Sequence, residues 1–309
     1  MRLAVVTTSY PSRPDDPAGH FVHADVQVLR AEGHHVSVLA PRHPDREPGE
    51  LDDVIELPHG GLYGWPGATA RLTEQPLRAM GAPIWLRAVR QALRREKPDE
   101  VIVHWALPNA WAVPSGVPTR LVSHGADVRL LERLPPLFAA RLLWNAVEWR
   151  FVAPHLLCAV RAMLVGEDVH HFDRIAHVAP SAVAPIVVDE ALRIKLRAKY
   201  RGPVFVIVAR LVRAKGVMRA IDHFIAHCAH GKAGSLVIVG DGPERPELER
   251  RARGYRVHFT GMLPRAEAVT WIAAADELWI ASREEGAPTV VREAETVGTS
   301  IRWIELSPT

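Results

Sequence analysis

Ser282-Arg-Glu-Glu-Gly-Ala-Pro-Thr-Val-Val-Arg-Glu293 sets two carboxylates, Glu285 and Glu293, around the start of a helix. Asp276-Glu-Leu-Trp-Ile-Ala-Ser282 before it reads as a buried strand. Pro288 suits the first helical turn, where its missing N–H costs nothing, and the helix that follows runs to Gly298, a good C-terminal stop. The stretch is therefore a strand, a tight turn at Gly286 and a helix N-terminus. Free N–H groups at such a terminus carry partial positive charge, so the turn at Gly286 and Ala287 is a seat for a phosphate. Glu285 and Glu293 repel phosphate, but both accept hydrogen bonds from the hydroxyls of a sugar or ribose.

Outside this stretch, strand-length apolar runs alternate with helix-period segments, the pattern of parallel sheets built from βαβ units. Strands are expected at Leu3 to Thr7, His35 to Ala40, Val54 to Leu57, Glu100 to His104, Arg120 to Ser123 and Leu156 to Val160. After a break near Pro180 to Pro185 they resume at Val204 to Ala209, Leu236 to Val239, Arg256 to Thr260, Glu277 to Ile280 and Ser300 to Leu306. With 309 residues, enough for roughly two cores, the chain divides into domains 1–183 and 184–309. The fold class expected is α/β, two Rossmann-like domains.

Composition narrows the function. Cys158 and Cys228 stand far apart, with neither disulfide-framework nor thiolate-metal spacing. The short apolar run at Met1 is a first strand and not a signal peptide. No apolar run approaches the roughly 18 residues that span a bilayer. A cytoplasmic protein is expected. The net charge of +3 argues for no nucleic-acid partner. Basic residues gather between Arg71 and Arg161, on two expected helices, around Leu86 to Arg95 and Leu137 to Val152, that carry Trp85, Trp144 and Trp149. Core-facing helices with a solvated arginine side fit their apolar spacing better than contact with an anionic membrane, which stays open.

Loops at strand C-termini line the ligand crevice of open α/β sheets. Gly19 ends the Pro-rich loop after the first strand and either admits close backbone approach of a ligand or serves as a flexible helix entry. No Gly-x-Gly-x-x-Gly stands there, against a dinucleotide oxidoreductase. His104-Trp-Ala-Leu-Pro-Asn109 and Ser123-His-Gly-Ala-Asp127 end two further strands. Taken alone, His124 reads as a packed or surface histidine. In Val208-Ala-Arg-Leu-Val-Arg-Ala-Lys-Gly216, Arg210 and Lys215 can converge on a diphosphate, one as a planar fork and the other as a point charge. Val239-Gly-Asp-Gly-Pro-Glu244 is a turn that shapes the crevice. His223, His227 and His230 share a helix face at metal-ligand spacing but lack the neighbouring Glu of a metalloprotease helix, so no metal is expected.

The spacing Glu285-x7-Glu293, with these motifs in this order, resembles the retaining glycosyltransferases of family 4, which have the GT-B fold. The resemblance implies two sheets facing across a cleft, an acceptor-side first domain and a nucleotide-sugar-binding second one. By it, Glu285 contacts the donor sugar and Glu293 the ribose, and Arg210 and Lys215 hold the diphosphate. His124, in a turn with Asp127, lies beside the anomeric carbon and helps hold the donor sugar, and Gly19 approaches donor or acceptor. Thr260-Gly-Met-Leu-Pro264 presents Met262 and Leu263 to the base, while Gly286 and Ala287 line the donor. Ala209 and Ala110 stand where the family usually has Gly.

The function implied is transfer of a sugar, with retention, from a UDP- or GDP-linked donor to a hydroxyl of a glycan, a lipid-linked or a small-molecule acceptor. No separate cofactor is expected. Lipid-linked acceptors, common in the family, keep peripheral contact with the inner membrane surface among the expected partners. The family also runs on beyond the second Glu, through a Gly-Gly-x-x-Glu turn and a terminal helix. A second domain incomplete at its C-terminus, with reduced activity, is therefore expected. A catalytically impaired nucleotide-sugar-binding protein and a nucleotide-sugar epimerase on the same fold are the alternatives.

Overall fold

The computed structural model describes residues 1–13, 16–46, 54–64, 67–183, 185–282 and 289–304. Two compact units divide the chain, Met1–Ala184 and Pro185–Thr309.

In the first unit seven strands pair in parallel: β1 (Arg2–Val6), β2 (His35–Pro41), β3 (Val54–Leu57), β4 (Glu100–His104), β5 (Thr119–Ser123), β6 (Ala146–Phe151) and β7 (Ala176–Val178). Their order is β3-β2-β1-β4-β5-β6-β7. The central strands are apolar on both faces because helices cover both, as in β1, where Leu3 to Val6 are all buried. Leu3, Val5, Val36, Val38 and Ile102 pack with Val22 and Val26 of the helix His20–Ala31. The helix Gly81–Glu96 buries Trp85, Val89 and Leu93, one face at i, i+4, i+8, and leaves its arginines outside.

The second unit holds β8 (Val204–Val208), β9 (Ser235–Val239), β10 (Val257–Gly261), β11 (Glu277–Ile280) and β12 (Ser300–Trp303), all parallel, in the order β10-β9-β8-β11-β12. Alternate residues of β8 enter different cores, Phe205 and Ile207 with Phe224 and Trp279, Val204 and Val206 with Trp271 and Ile272. That is the period-2 signature of a strand covered on both sides. In each sheet the chain leaves the first strand in one direction and returns on its other side, between β1 and β4 and between β8 and β11. Such a switch point opens a crevice at the C-terminal ends of the strands.

Two expected elements are corrected. Leu156 to Val160, read as a strand, lies in the helix Pro154–Arg161. Pro154 occupies its first turn, and the buried pair Leu156 and Val160 is spaced i, i+4. The helix expected over Leu137 to Val152 stops at Leu142, and Ala146–Phe151 forms β6. Tertiary contacts decide the latter: Trp149 is fully buried, stacks on Phe151 and donates from its indole N–H to Ser123 Oγ at 3.0 Å. Among the described residues no helix is long and apolar enough to cross a membrane.

Candidate functional site

In the first unit the C-terminal ends of β1, β4 and β5 bring the expected residues to one edge. Gly19, after β1, has φ +67° and caps the helix His20–Ala31. A Cβ there would lie 2.4 Å from Ser9 O, so the close approach that demands glycine is to its own loop. Asp127 is 2 % exposed, and its carboxylate gathers the turn around itself. Oδ1 accepts from the N–H of His124 and of Gly125, each at 3.1 Å, and Oδ2 accepts from the N–H of Ala106 at 3.0 Å. Burial raises its pKa against these bonds and the Ser123 hydroxyl. The carboxylate thus fastens the β5 turn to the β4 turn, a positioning task.

His124 is half-buried between Phe21 and Trp105, with centroids 5.0 and 4.7 Å away, and lies edge to edge with His104, centroids 5.2 Å apart and ring planes 14° from parallel. His104 Nδ1 lies 3.0 Å from His124 Nε2. Asn109 Nδ2 donates to His104 O at 2.8 Å, and Trp85 Nε1 donates to Asn109 Oδ1 at 2.8 Å. Behind His104 sits Asp25, its Oδ2 at 3.9 Å from His104 Nε2 and ion-paired with Arg150. Burial, reinforced by the Arg150 charge, lowers the pKa of His104 to about 3. Burial and the His104 and Arg150 charges hold His124 well below the usual imidazole value.

The two depressed histidines make stability depend on pH. Both histidines have folded-state pKa values below their unfolded ones, so below pH about 6.5 the unfolded chain binds protons that the native one does not. Stability present at neutral pH is then lost on acidification, by up to about 1.4 kcal/mol per pH unit for each histidine. Between pH 7 and 5 the urea midpoint should fall in the wild type, and fall less in His104→Phe. A midpoint independent of pH in the wild type would show that the pair is not held neutral.

In the second unit the loops after β8, β9, β10 and β11 carry the remaining expected residues. Arg210 is exposed and Lys215 half-buried, both beyond the C-terminal end of β8 beside the switch point. The Gly240–Gly242 turn clasps this loop: Leu211 N–H donates to Asp241 O at 2.8 Å and Glu244 N–H to Leu211 O at 3.0 Å. Gly242 has φ +156°, and a Cβ there would lie 2.5 Å from Leu211 O, so a side chain would push the two loops apart. Arg219 donates to Ala281 O, which ties the helix Val217–Ala229 to the end of β11.

Met262 is exposed and Leu263 half-buried after β10, and Leu263 packs in the same cluster as Val290 and Val291. Glu293, 5 % exposed in the helix Thr289–Val297, accepts from Arg265 Nε through Oε1 at 2.8 Å. Burial raises the Glu293 pKa, and Arg265 opposes the rise. The pair brings together the β10 loop and the carboxylate expected to hold the ribose. Glu285, Gly286 and Ala287 lie outside the described residues.

Among the described residues no three His, Cys, Asp or Glu side chains converge on a metal position. His223 meets Trp279 edge-on at 5.2 Å, His227 meets Phe205 edge-on at 5.3 Å, and His230 Nδ1 lies 2.6 Å from Ala226 O. Sequence reading missed Asp25, Arg150, Phe21 and Arg265. Asp25 alone left a local trace, an acid among the apolar residues of an amphipathic helix.

Two Rossmann-like units, each a parallel sheet with helices on both faces, are the architecture of the GT-B class, and solved structures agree. Sucrose-phosphate synthase from Thermosynechococcus elongatus superimposes with a TM-score of 0.72 at 17% identity, over 98% of this chain and 81% of that one. Anabaena Alr3699/HepE, solved with UDP-glucose, gives 0.68 at 15% identity, over 98% and 80%. Residues 202–301, all within the second unit, match the family described as glycosyl transferases group 1.

Among curated proteins, the GDP-mannose-dependent alpha-(1-6)-phosphatidylinositol dimannoside mannosyltransferase of Mycobacterium tuberculosis is 28% identical over 207 residues, 63% of this chain and 53% of that protein. The chain thus matches about half the length of that relative. The putative teichuronic acid biosynthesis glycosyltransferase TuaC of Bacillus subtilis is 27% identical over a 326-residue alignment, 95% of this chain and 78% of that protein.

Proposed function

We propose that this chain is a glycosyltransferase moving a sugar, with retention, from a UDP- or GDP-linked donor to a hydroxyl of a glycan or lipid-linked acceptor. The observation that carries the reading is the second unit's C-terminal edge. There, in a segment that matches the glycosyl transferases group 1 family, stand Arg210 and Lys215 beyond β8, the Leu263 loop after β10, and Glu293 held by Arg265, which this reading assigns to the diphosphate, the base and the ribose. Names of similar proteins support both donor types, GDP-mannose for the mycobacterial mannosyltransferase and UDP-glucose for HepE.

In the reaction the bond from the anomeric carbon to the diphosphate oxygen breaks, and charge grows on the diphosphate. Arg210 and Lys215 stabilise that charge, being preorganised donors where it develops. The acceptor hydroxyl attacks from the leaving-group face and loses its proton to the departing phosphate, so retention needs no protein nucleophile. Exposed Leu77, Met80 and Ile84 beside Arg78 and Arg87, with Trp144 near Arg141, support a lipid-linked acceptor reached from a membrane surface.

Free nucleoside diphosphate should appear only when acceptor is added to enzyme and nucleotide-sugar. Isomerised donor without acceptor would show an epimerase instead, and neither product would show a binding protein. Glu293→Gln should weaken nucleoside-diphosphate binding by about 1.5–3 kcal/mol, because the ribose loses its charged acceptor. Unchanged affinity by calorimetry would remove Glu293 from the site.

A further inference from the structure

We propose that His104, backed by Asp25 and Arg150, is a positioning residue that holds His124 in the tautomer protonated on Nε2, leaving Nδ1 as a hydrogen-bond acceptor for a hydroxyl of the bound donor. The hydroxyl contact rests on the function proposed above; the tautomer does not.

The relay starts at its buried end. Asp25 Oδ1 accepts from the Ala182 N–H at 2.9 Å, and Oδ2 pairs with Arg150, so the carboxylate is fixed from two sides. His104 is 1 % exposed and presents Nε2 to Oδ2 at 3.9 Å. That is too long for a hydrogen bond, yet in a buried setting it decides which edge of a neutral ring faces the carboxylate. An Nε2–H dipole is attracted there, whereas an Nε2 lone pair is repelled. His104 therefore carries its proton on Nε2 and has a lone pair on Nδ1.

Nδ1 of His104 meets Nε2 of His124 at 3.0 Å, and one of the two must donate. Since His104 Nδ1 is the acceptor, His124 donates from Nε2, and its own Nδ1 keeps the lone pair. Both rings are neutral because burial and the nearby Arg150 disfavour protonation. Among the described residues no group bonds His124 Nδ1. Phe21, Trp105 and His104 pack around the ring and limit its rotation. A group that can only accept selects a ligand hydroxyl that donates. The arrangement shares its logic with the Asp-His pair of serine proteases, where the carboxylate sets the tautomer without taking the proton.

The test is a long-range 1H–15N correlation spectrum of the full chain labelled on its histidine rings, at pH 7, with the His124 signals assigned from His124→Gln. His124 should show a protonated Nε2 and an unprotonated Nδ1. Asp25→Asn removes the carboxylate charge that fixes the His104 proton on Nε2, so His124 should no longer hold a single tautomer. His104→Phe keeps a ring in that place but removes the relay, and should give a mixture of tautomers; it decides the matter if Asp25→Asn does not fold. Turnover in Asp25→Asn should fall by about 10² or more, the scale of a lost oriented catalytic group. A wild-type His124 protonated on Nδ1, or a tautomer unchanged in both variants, would overturn the proposal. The predicted tautomers in a chain that transfers no sugar would leave the relay standing and count against the function instead.

Discussion

Arg210→Ala and Lys215→Ala should each lower turnover by about 10²–10³, with donor affinity changed less than rate. Both side chains sit on the loop after β8, the strand at which the second sheet reverses direction. The Gly240–Gly242 turn braces that loop through Leu211 and Glu244, so the backbone that carries the two cations is fixed in place. Preorganised charge acts most where charge grows, which in the proposed reaction is the departing diphosphate. Arg210→Lys should recover only part of the loss, because an ammonium cannot reproduce the planar fork. Initial rates at saturating donor measure this, and wild-type rates in both alanine variants would sink the diphosphate assignment.

Asp127→Ala should destabilise the protein by about 3 kcal/mol or more. Removing the carboxylate, itself 2 % exposed, leaves the N–H groups of His124, Gly125 and Ala106 without their acceptor. Each unsatisfied buried donor costs about 1–3 kcal/mol. Asn keeps an oxygen for the two N–H groups at 3.1 Å and should lose less. Urea midpoints at constant slope separate this from a change in the denatured state. A loss below about 1 kcal/mol for alanine would mean that the turn holds itself and that Asp127 has some other task.

The second unit was the more legible half because its signals are local. Val204 to Val208 and Glu277 to Ile280 are short apolar runs bounded by turn residues, and each motif follows its strand directly. The first unit failed where two readings compete within a few residues. Leu156 to Val160 fits a buried strand as well as a helix face, and only Pro154 and the i, i+4 spacing favour the helix. Trp149 fitted a helical pattern until the contacts with Ser123 and Phe151 placed it in β6.

Site geometry was legible one residue at a time and not as a network. His104 and His124 stood out in the sequence, but the ion pair behind them joins residues 125 positions apart, Asp25 and Arg150. No spacing rule reaches that far. Arg265, 28 positions before Glu293, was hidden for the same reason.

Calorimetric titration of the whole chain with UDP, GDP and ADP tests the central claim, a nucleotide-sugar site at the C-terminal edge of the second sheet, most directly. One-to-one binding of at least one of them, weakened in Lys215→Ala, is the result expected; no measurable binding of any of the three by a folded chain would contradict it.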